Sequence, residues 1–323
     1  MSEEDKQIRA GVRLTNVDQL LFDGADVTKR ELVDYLDAVA EYLLPELADR
    51  PLSVVRVRPG QQPFMQKNLP KYAPDWVPSV AVWAEASHRE VHYPLCNERR
   101  TLLWLANQRA VEYHPTLTRV HDPHASCLVL DLDPPPGDNF APVVRAAELV
   151  RAALAEIGLA GAVKTSGAKG VHVFVPLEAD TALGDAAAAT RALAARAERL
   201  DPGVATTAFI RADRAGKVFL DPTRSGGATV VSVYSPRARP GVPVSFPLRW
   251  EDLAQVTPSD FTVRTAAASL RAGSRWRDLL PPAQALSTEL VAEGHAIPIP
   301  RVQAMHEGKR RARERRLADE QPG

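Results

Sequence analysis

The sequence predicts a mixed α/β (α+β) fold, and three observations carry that expectation: short apolar runs with strand alternation, amphipathic stretches at helical spacing between them, and a composition suited to a large core. Of 323 residues, 45% are hydrophobic and 25% charged, enough for one big domain or two intimately packed modules. Forty basic residues balance forty acidic ones, so any attraction to nucleic acid has to come from local patches and not from net charge. Cys96 and Cys127 show neither CxxC nor Cys/His spacing, which argues against a structural zinc site or a disulfide framework and for reduced thiols. The first residues are charged, without an apolar signal core, and no apolar run is long enough to cross a bilayer, so a cytoplasmic, nucleoid-associated protein is expected.

The elements follow in order. Thr28 with Glu31 three positions on forms a capping-box signature, and Leu32, Tyr35, Leu36, Val39 and Leu43 recur at helical spacing until Pro45 and Pro51 break the pattern. Leu52 to Val57 alternates as a strand and leads into the loop Arg58 to Pro63. A second helix is expected over Arg99 to Val111, stopped by the turn Tyr113-His114-Pro115. Ser126 to Asp133 is a strand closed by a proline turn. Asn139 to Ile157 carries an apolar stripe with Gly158 as its stop. The alternating strand Val171 to Val175 follows the loop Lys164 to Gly170, and an alanine-rich helix runs from about Gly184 to Leu200. Lys217 to Asp221 and Ala228 to Tyr234 read as an antiparallel pair joined by a polar, glycine-bearing loop. The block Lys309 to Arg316 is basic without apolar periodicity, a solvated tail first and a nucleic-acid contact second.

Chemistry concentrates at Asp131 and Asp133. On a strand these two project from one side while Leu132 points away, their α-carbons about 6.5 Å apart. Two carboxylates so placed repel each other, and a divalent cation with oxygen ligands removes that repulsion. A solvated strand end or an Asx turn into the prolines accounts for the same pair equally well. Asp221 ends another strand-like run. Beside the first pair it completes a three-carboxylate cluster suited to two metal ions; alone it is an Asp-Pro turn opener. In Thr165-Ser-Gly-Ala-Lys-Gly170, glycines permit close backbone approach, and Ser166, the amides and Lys169 can cradle phosphate, although no Walker A pattern is present. His172 faces either a site or the core, and the core is the commoner placement.

Together, Asp131-Leu-Asp-Pro134, Lys164-Thr-Ser-Gly-Ala-Lys-Gly-Val-His172, Val218-Phe-Leu-Asp221 and Tyr234-Ser-Pro-Arg237 resemble the polymerase domain of bacterial ligase D, a member of the archaeo-eukaryotic primase superfamily. The similarity runs from Val12-Arg-Leu-Thr-Asn16 through Phe261-Thr-Val-Arg-Thr265. The resemblance implies a primase-like catalytic core with an RRM-like mixed or antiparallel sheet, packed with an N-terminal α/β module. Residues 1–300 then form one catalytic domain, with modules of about 1–110 and 111–300, and 301–323 form the basic tail. It implies a template-directed nucleotidyltransferase with Asp131, Asp133 and Asp221 as metal-binding acids for two Mg2+ or Mn2+ ions. His114, Ser166, Lys169, Arg214, Arg224 and Arg237 become contacts to the incoming nucleoside triphosphate. Phe64, Met65, Lys67 and Lys29 become contacts to DNA. Phe64 matches an aromatic that stacks on template bases, and stacking is tolerant of sequence.

Departures from the family pattern bear on the pathway. Gln19 stands where a lysine is usual, Val55 replaces another, and Met65 occupies the place of a second aromatic. Met65 makes the stacking platform smaller or softer, while the two lost lysines, beside the Lys29 that matches a third, weaken recognition of a 5′-phosphate at the far side of a gap. They shift weight from end joining towards a stand-alone primase-polymerase of excision repair. Arg224 takes the place of a neutral amide found in many relatives. No KxDG ligase motif occurs, so sealing is expected from a separate DNA ligase, with Ku a further partner; gapped or broken duplex DNA and NTP or dNTP are the substrates, ribonucleotides preferred, and a monomer is expected. Two other classes stay open on the residues: a catalytically weak DNA-end-binding module that recruits repair partners, and a metal phosphohydrolase using the same acids.

Overall fold

A computed structural model describes residues 8–84, 88–137, 139–273 and 275–299; the basic block Lys309 to Arg316 lies outside the described residues. The chain opens with a small pair, β1 (Ile8–Arg9) and β2 (Val12–Arg13), followed by α1 (Lys29–Ala38) and α2 (Ala40–Leu47). Strands β3 (Leu52–Arg58), β4 (Gln61–Gln66) and β7 (Ala110–Pro115) form a three-stranded antiparallel sheet of order β4-β3-β7. Between them lie the hairpin β5 (Ser79–Ala84) and β6 (Arg89–Pro94) and the helix α3 (Arg99–Asn107).

The second half builds a six-stranded sheet from β8 (Cys127–Asp133), β9 (Ala162–Thr165), β10 (Val171–Pro176), β11 (Ala205–Thr206), β12 (Val218–Asp221) and β13 (Pro247–Leu248). Its order is β11-β12-β8-β10-β9-β13, antiparallel throughout except for the β11/β12 pair. This mixed, mostly antiparallel sheet is the primase-like arrangement that the motif order implied. Helices α4 (Ala141–Glu156) and α5 (Leu183–Leu200) pack on one face. Strand alternation sends Leu130, Leu132, Val171, Val173, Val218 and Leu220, all at most 1% exposed, to that helical side. The opposite face receives Asp131, Asp133, His172 and Asp221. Helices α6 (Ala266–Ala272), α7 (Trp276–Leu279) and α8 (Thr288–Ala296) complete the described chain. One apolar core runs from Val12 to Trp276 and unites both sheets. No helix among the described residues is long and apolar enough to cross a membrane.

Several local expectations are corrected. The capping box at Thr28 is present, but the helix breaks at Val39 and resumes through Pro45, which has no N–H to give, and α2 ends two residues later. The expected loop at Arg58 to Pro63 is a tight turn at Pro59-Gly60, with Gly60 at φ +72°, so Phe64 and Met65 lie on a strand. Helix α3 stops at Asn107, four residues early, because Arg109 adopts φ +61° and turns the chain. His114 therefore sits on strand β7, not on a helix-ending turn. Lys164 and Thr165 belong to β9 and not to the loop after it. The hairpin between Lys217–Asp221 and Ala228–Tyr234 does not form. After Asp221 a 3-10 turn, Thr223–Gly226, is tied down where Ser225 Oγ accepts the Val129 N–H at 2.9 Å. The following segment then crosses to β7, where Val230 and Ser232 donate backbone N–H bonds to the carbonyls of Pro115 and Tyr113.

Candidate active site

Register brings the acids together. On β8 and β12, Asp131 stands directly opposite Asp221, and Asp133 opposite Phe219. On the other flank His172 of β10 stands opposite Asp131, and Lys164 of β9 opposite His172. One row across four strands thus reads Lys164, His172, Asp131, Asp221, with Asp133 two residues along on the same face. Directly opposed side chains on neighbouring strands have β-carbons about 5 Å apart.

Hydrogen bonds link the row from Lys164 to Asp131, and Arg224 carries it on to Asp221 by charge. Buried Lys164 Nζ lies 2.9 Å from His172 Nδ1, donates to Ser245 Oγ at 2.6 Å, and donates to the Val231 carbonyl at 3.1 Å. His172 Nε2 is 3.2 Å from Asp131 Oδ1, and Arg224 Nε and Nη2 each reach Asp131 Oδ2 at 3.1 Å. Arg224 Nε is also 3.6 Å from Asp221 Oδ2, while Asp221 Oδ1 accepts the Thr223 N–H at 2.8 Å. Burial drives the His172 pKa down to about 4, aided by the Lys164 charge. His172 is therefore neutral at pH 7 and holds Asp131 by its Nε2–H and not by charge; the permanent positive charge on Asp131 is Arg224's. Burial raises the Asp131 carboxyl pKa, but these two partners outweigh it and the net displacement is downward. Asp133 moves the other way: burial, then repulsion from Asp131 and Asp221, lifts it to about 6.

No three His, Cys, Asp or Glu side chains among the described residues stand as a ready-made metal cage, and Arg224 and His172 contact both oxygens of Asp131. The donor chemistry nonetheless fits a hard cation. Three carboxylates on two adjacent strands share one sheet face, and burial with repulsion from Asp131 and Asp221 raises Asp133 despite the nearby arginines.

The glycine loop borders this row. Ser166 Oγ accepts the N–H groups of Ala168 and Gly170 at 3.2 and 3.1 Å, so this hydroxyl organises the loop. A Cβ on Gly170 would stand 2.2 Å from the Leu132 carbonyl, and one on Gly167, at φ +67°, 2.7 Å from Ser245 N; only glycine allows the loop to close on β8. Lys169 Nζ donates to the Gly137 carbonyl at 2.8 Å, pinning the turn after Asp133. Arg237 Nη1 donates to the Ser166 carbonyl at 2.6 Å. Arg214 lies 3.8 Å over the Phe219 ring, donates to the carbonyls of Ala208 and Phe209, and brings its charge towards Asp133 and Asp221.

A family model described as LigD, primase-polymerase domain, matches residues 28–276. The bifunctional non-homologous end joining protein LigD of Bacillus subtilis is 32% identical over 265 residues, 80% of this chain and 42% of that protein. The multifunctional LigD of Mycobacterium bovis is 35% identical over 256 residues, 75% of this chain and 33% of that protein. This chain belongs to the LigD primase-polymerase domain family. It spans less than half the length of those two curated relatives. Among solved structures, the polymerase domain of Mycobacterium tuberculosis ligase D in complex with DNA superposes with a TM-score of 0.77 at 32% identity, covering 84% of this chain and 99% of that one. The protein is accordingly a nucleotidyltransferase domain of the primase-polymerase class.

Away from the acids, the primase-polymerase domain disperses its expected DNA contacts. Phe64 is half-buried on β4, with Arg58 and Arg56 at 5.5 and 5.9 Å over its ring. Met65 points from the opposite face of the strand and is 48% exposed, so the two do not make one flat platform. Lys67 is exposed just beyond β4. Lys29 is turned inward: it is 2% exposed, its Nζ donates to the Thr15 carbonyl at 2.5 Å, and burial with the Arg109 charge pulls its pKa down to about 8. Arg109 donates to Gln19 Oε1 at 2.7 Å, in the corner where a second lysine was expected.

His114 sits beside a residue that sequence reasoning passed over. Its Nε2 lies 2.8 Å from Glu112 Oε2, and Lys164 and Ser245 were missed likewise. The available signal was strand alternation, which places Glu112 with His114 and, through β9 and β10, Lys164 with His172.

Proposed function

We propose that this domain is a template-directed polymerase that adds nucleotides to primer 3′-hydroxyls at short gaps or broken ends, as part of double-strand-break joining or excision repair. The observation that carries this reading is the meeting of Asp131, Asp133 and Asp221 on one buried sheet face, rimmed by Ser166, Lys169, Arg214, Arg224 and Arg237. Asp131, Asp133 and Asp221 would hold two Mg2+ or Mn2+ ions, which supply activation of the attacking hydroxyl and charge neutralisation on the leaving pyrophosphate. The chain's own residues supply position. Arg237 and Lys169 hold the glycine loop against β8, and the Ser166 hydroxyl, which accepts the Ala168 and Gly170 N–H groups, would give its own hydrogen to the triphosphate. Arginines give fixed, forked donors to the negative charge that grows on the phosphoryl group. Phe64, backed by two arginines, offers a stacking surface to template bases and Lys67 a phosphate contact. Ribonucleotides are proposed as the preferred substrates, and a separate DNA ligase, with Ku, as partners that complete repair.

Primer extension on a gapped duplex with Mn2+, using all four nucleotides in both sugar forms and gaps with and without a 5′-phosphate, tests the reading. Growth of the labelled primer, directed by template, is expected. The inward turn of Lys29 favours gaps filled without strong dependence on the 5′-phosphate. Tight DNA binding without primer growth would instead leave a DNA-end-binding module.

A further inference from the structure

We propose that Glu112 is a positioning residue of the nucleotide site: it fixes which nitrogen of His114 carries the proton and anchors Arg237 beside it. The inference rests on the reading of His114 and Arg237 as nucleotide contacts. Glu112 and His114 are two residues apart on β7, so they share a face while Tyr113 points into the core at 0% exposure. Glu112 itself is only 7% exposed. Its Oε1 accepts the Ala238 N–H at 2.9 Å. Its Oε2 lies 2.8 Å from His114 Nε2 and 3.1 Å from Arg237 Nε. One carboxylate therefore joins β7 to the 236–238 turn and touches both side chains.

Proton bookkeeping fixes the histidine. An ionised carboxylate only accepts. Burial pushes the Glu112 carboxyl up, but the His114 hydrogen bond and the Arg237 charge prevail and hold it down to about 2. His114 Nε2 must then carry the hydrogen. Burial lowers the His114 pKa against the opposing pull of Glu112, with Arg237 and Lys164 adding to the decrease; the ring is neutral and has one N–H to give. Nδ1 keeps its lone pair. His114 thus presents an acceptor, suited to a ligand hydroxyl and unsuited to a phosphate oxygen.

Arg237 uses Glu112 differently. Its Nε is buried without a well-aligned hydrogen bond, so the contact at 3.1 Å is ionic and depends on charge, whereas His114 depends on direction. Glu112→Gln separates these roles. The amide keeps size and loses charge; with its oxygen on the Ala238 N–H, its NH2 faces the His114 Nε2–H and forces the imidazole to the other tautomer.

The test begins with unaltered protein. Nitrogen-15 spectra of the histidines at pH 7, with His114 assigned by His114→Gln, are expected to show a neutral ring protonated on Nε2; protonation on Nδ1, or an imidazolium, overturns the proposal. In Glu112→Gln the His114 signal is expected to switch tautomer, and the KM for nucleoside triphosphate to rise about tenfold or more while kcat falls less. Glu112→Asp, which keeps the charge, recovers part of the KM. A switched tautomer with unchanged KM overturns the positioning role. If Glu112→Gln does not fold, the spectrum of the unaltered protein and the KM of Glu112→Asp decide. A protein with no primer extension but an Nε2-protonated His114 would sink the polymerase reading and spare the tautomer assignment.

Discussion

Replacing Asp133 with asparagine should make the metal-free protein more stable while destroying its proposed activity. Burial and the neighbouring Asp131 and Asp221 carry this carboxyl from its ordinary 3.8 to about 6. A folded-state pKa above the unfolded value means stability that is fully present below about pH 4 and lost as pH rises through 6. Each unit is worth about 1.4 kcal/mol, so ionising Asp133 in the fold costs up to about 3 kcal/mol above pH 7. Partial exposure and coupling to its neighbours reduce this to about 2 kcal/mol. Asparagine cannot ionise and escapes the penalty. With an unfolding entropy of roughly 2 cal/mol/K per residue, a chain of 323 residues should gain about 3 °C in Tm at pH 7.5 and about half of that at pH 5. Thermal melts of both proteins in EDTA from pH 5 to 8 measure the gap. A Tm below that of the unaltered protein, or a gap that does not widen with pH, would refute the idea that three acids repel one another there.

Four other outcomes follow from the same geometry. Mn2+ should raise the Tm of the unaltered protein more at pH 7.5 than at pH 5, because protonated Asp133 competes with the ion; an equal rise at both places binding elsewhere. Asp131→Ala with Asp133→Ala should lower nucleotide incorporation at least about a thousandfold with a near-normal Tm, since the loss of the partner of Arg224 and His172, about 1–3 kcal/mol, is offset by relief at Asp133; retained primer extension in the purified protein defeats the acids' role. Gly170→Ala should cost at least about 2 kcal/mol by overpacking, read as a lowered urea midpoint, because the new Cβ meets the Leu132 carbonyl at 2.2 Å. Phe64→Ala should weaken binding to gapped DNA by about 1–3 kcal/mol without changing its salt dependence, whereas Lys67→Ala should lower the slope against log salt by about one; the reverse pattern would exchange their roles.

How much of this was legible beforehand depended on range. The β8 strand and its paired aspartates were readable because alternation is a two-residue pattern that any strand must obey. That Asp221 would pair with Asp131 was not in the local pattern; it followed from a resemblance in motif order, and the register of β12 on β8 now gives its physical basis. The same run was misread as half of a hairpin, because nothing local says that Ser225 will fasten the chain to Val129 and Thr190 and divert it. Glu112 and Lys164 were lost to boundary errors. A helix drawn past Asn107 hid the alternation of β7, and a loop drawn from Lys164 hid the last two residues of β9.

The buried row also explains why two aspartates two residues apart differ. Asp131 lies between a histidine N–H and an arginine, while Asp133 lies opposite Phe219 and sees mainly the other acids. The first stays ionised under all ordinary conditions, and the second gives up its proton near neutrality. The orientation of His172 is set from further away. Ser245 donates its own hydrogen to the Thr165 carbonyl at 2.7 Å and so must accept from Lys164; the Val231 carbonyl can only accept. Asp131 requires the hydrogen of His172 on Nε2, which leaves Nδ1 to accept from Lys164. Serving all three acceptors takes three hydrogens, so this arrangement belongs to the ammonium form, which burial opposes by driving the amine's pKa far down. A fully buried lysine is a costly way to join two strands. Here, from three strands away from Asp221, it holds the tautomer of His172, so that one oxygen of Asp131 is committed and the other is left to Arg224, the cation that an arriving metal ion would have to displace.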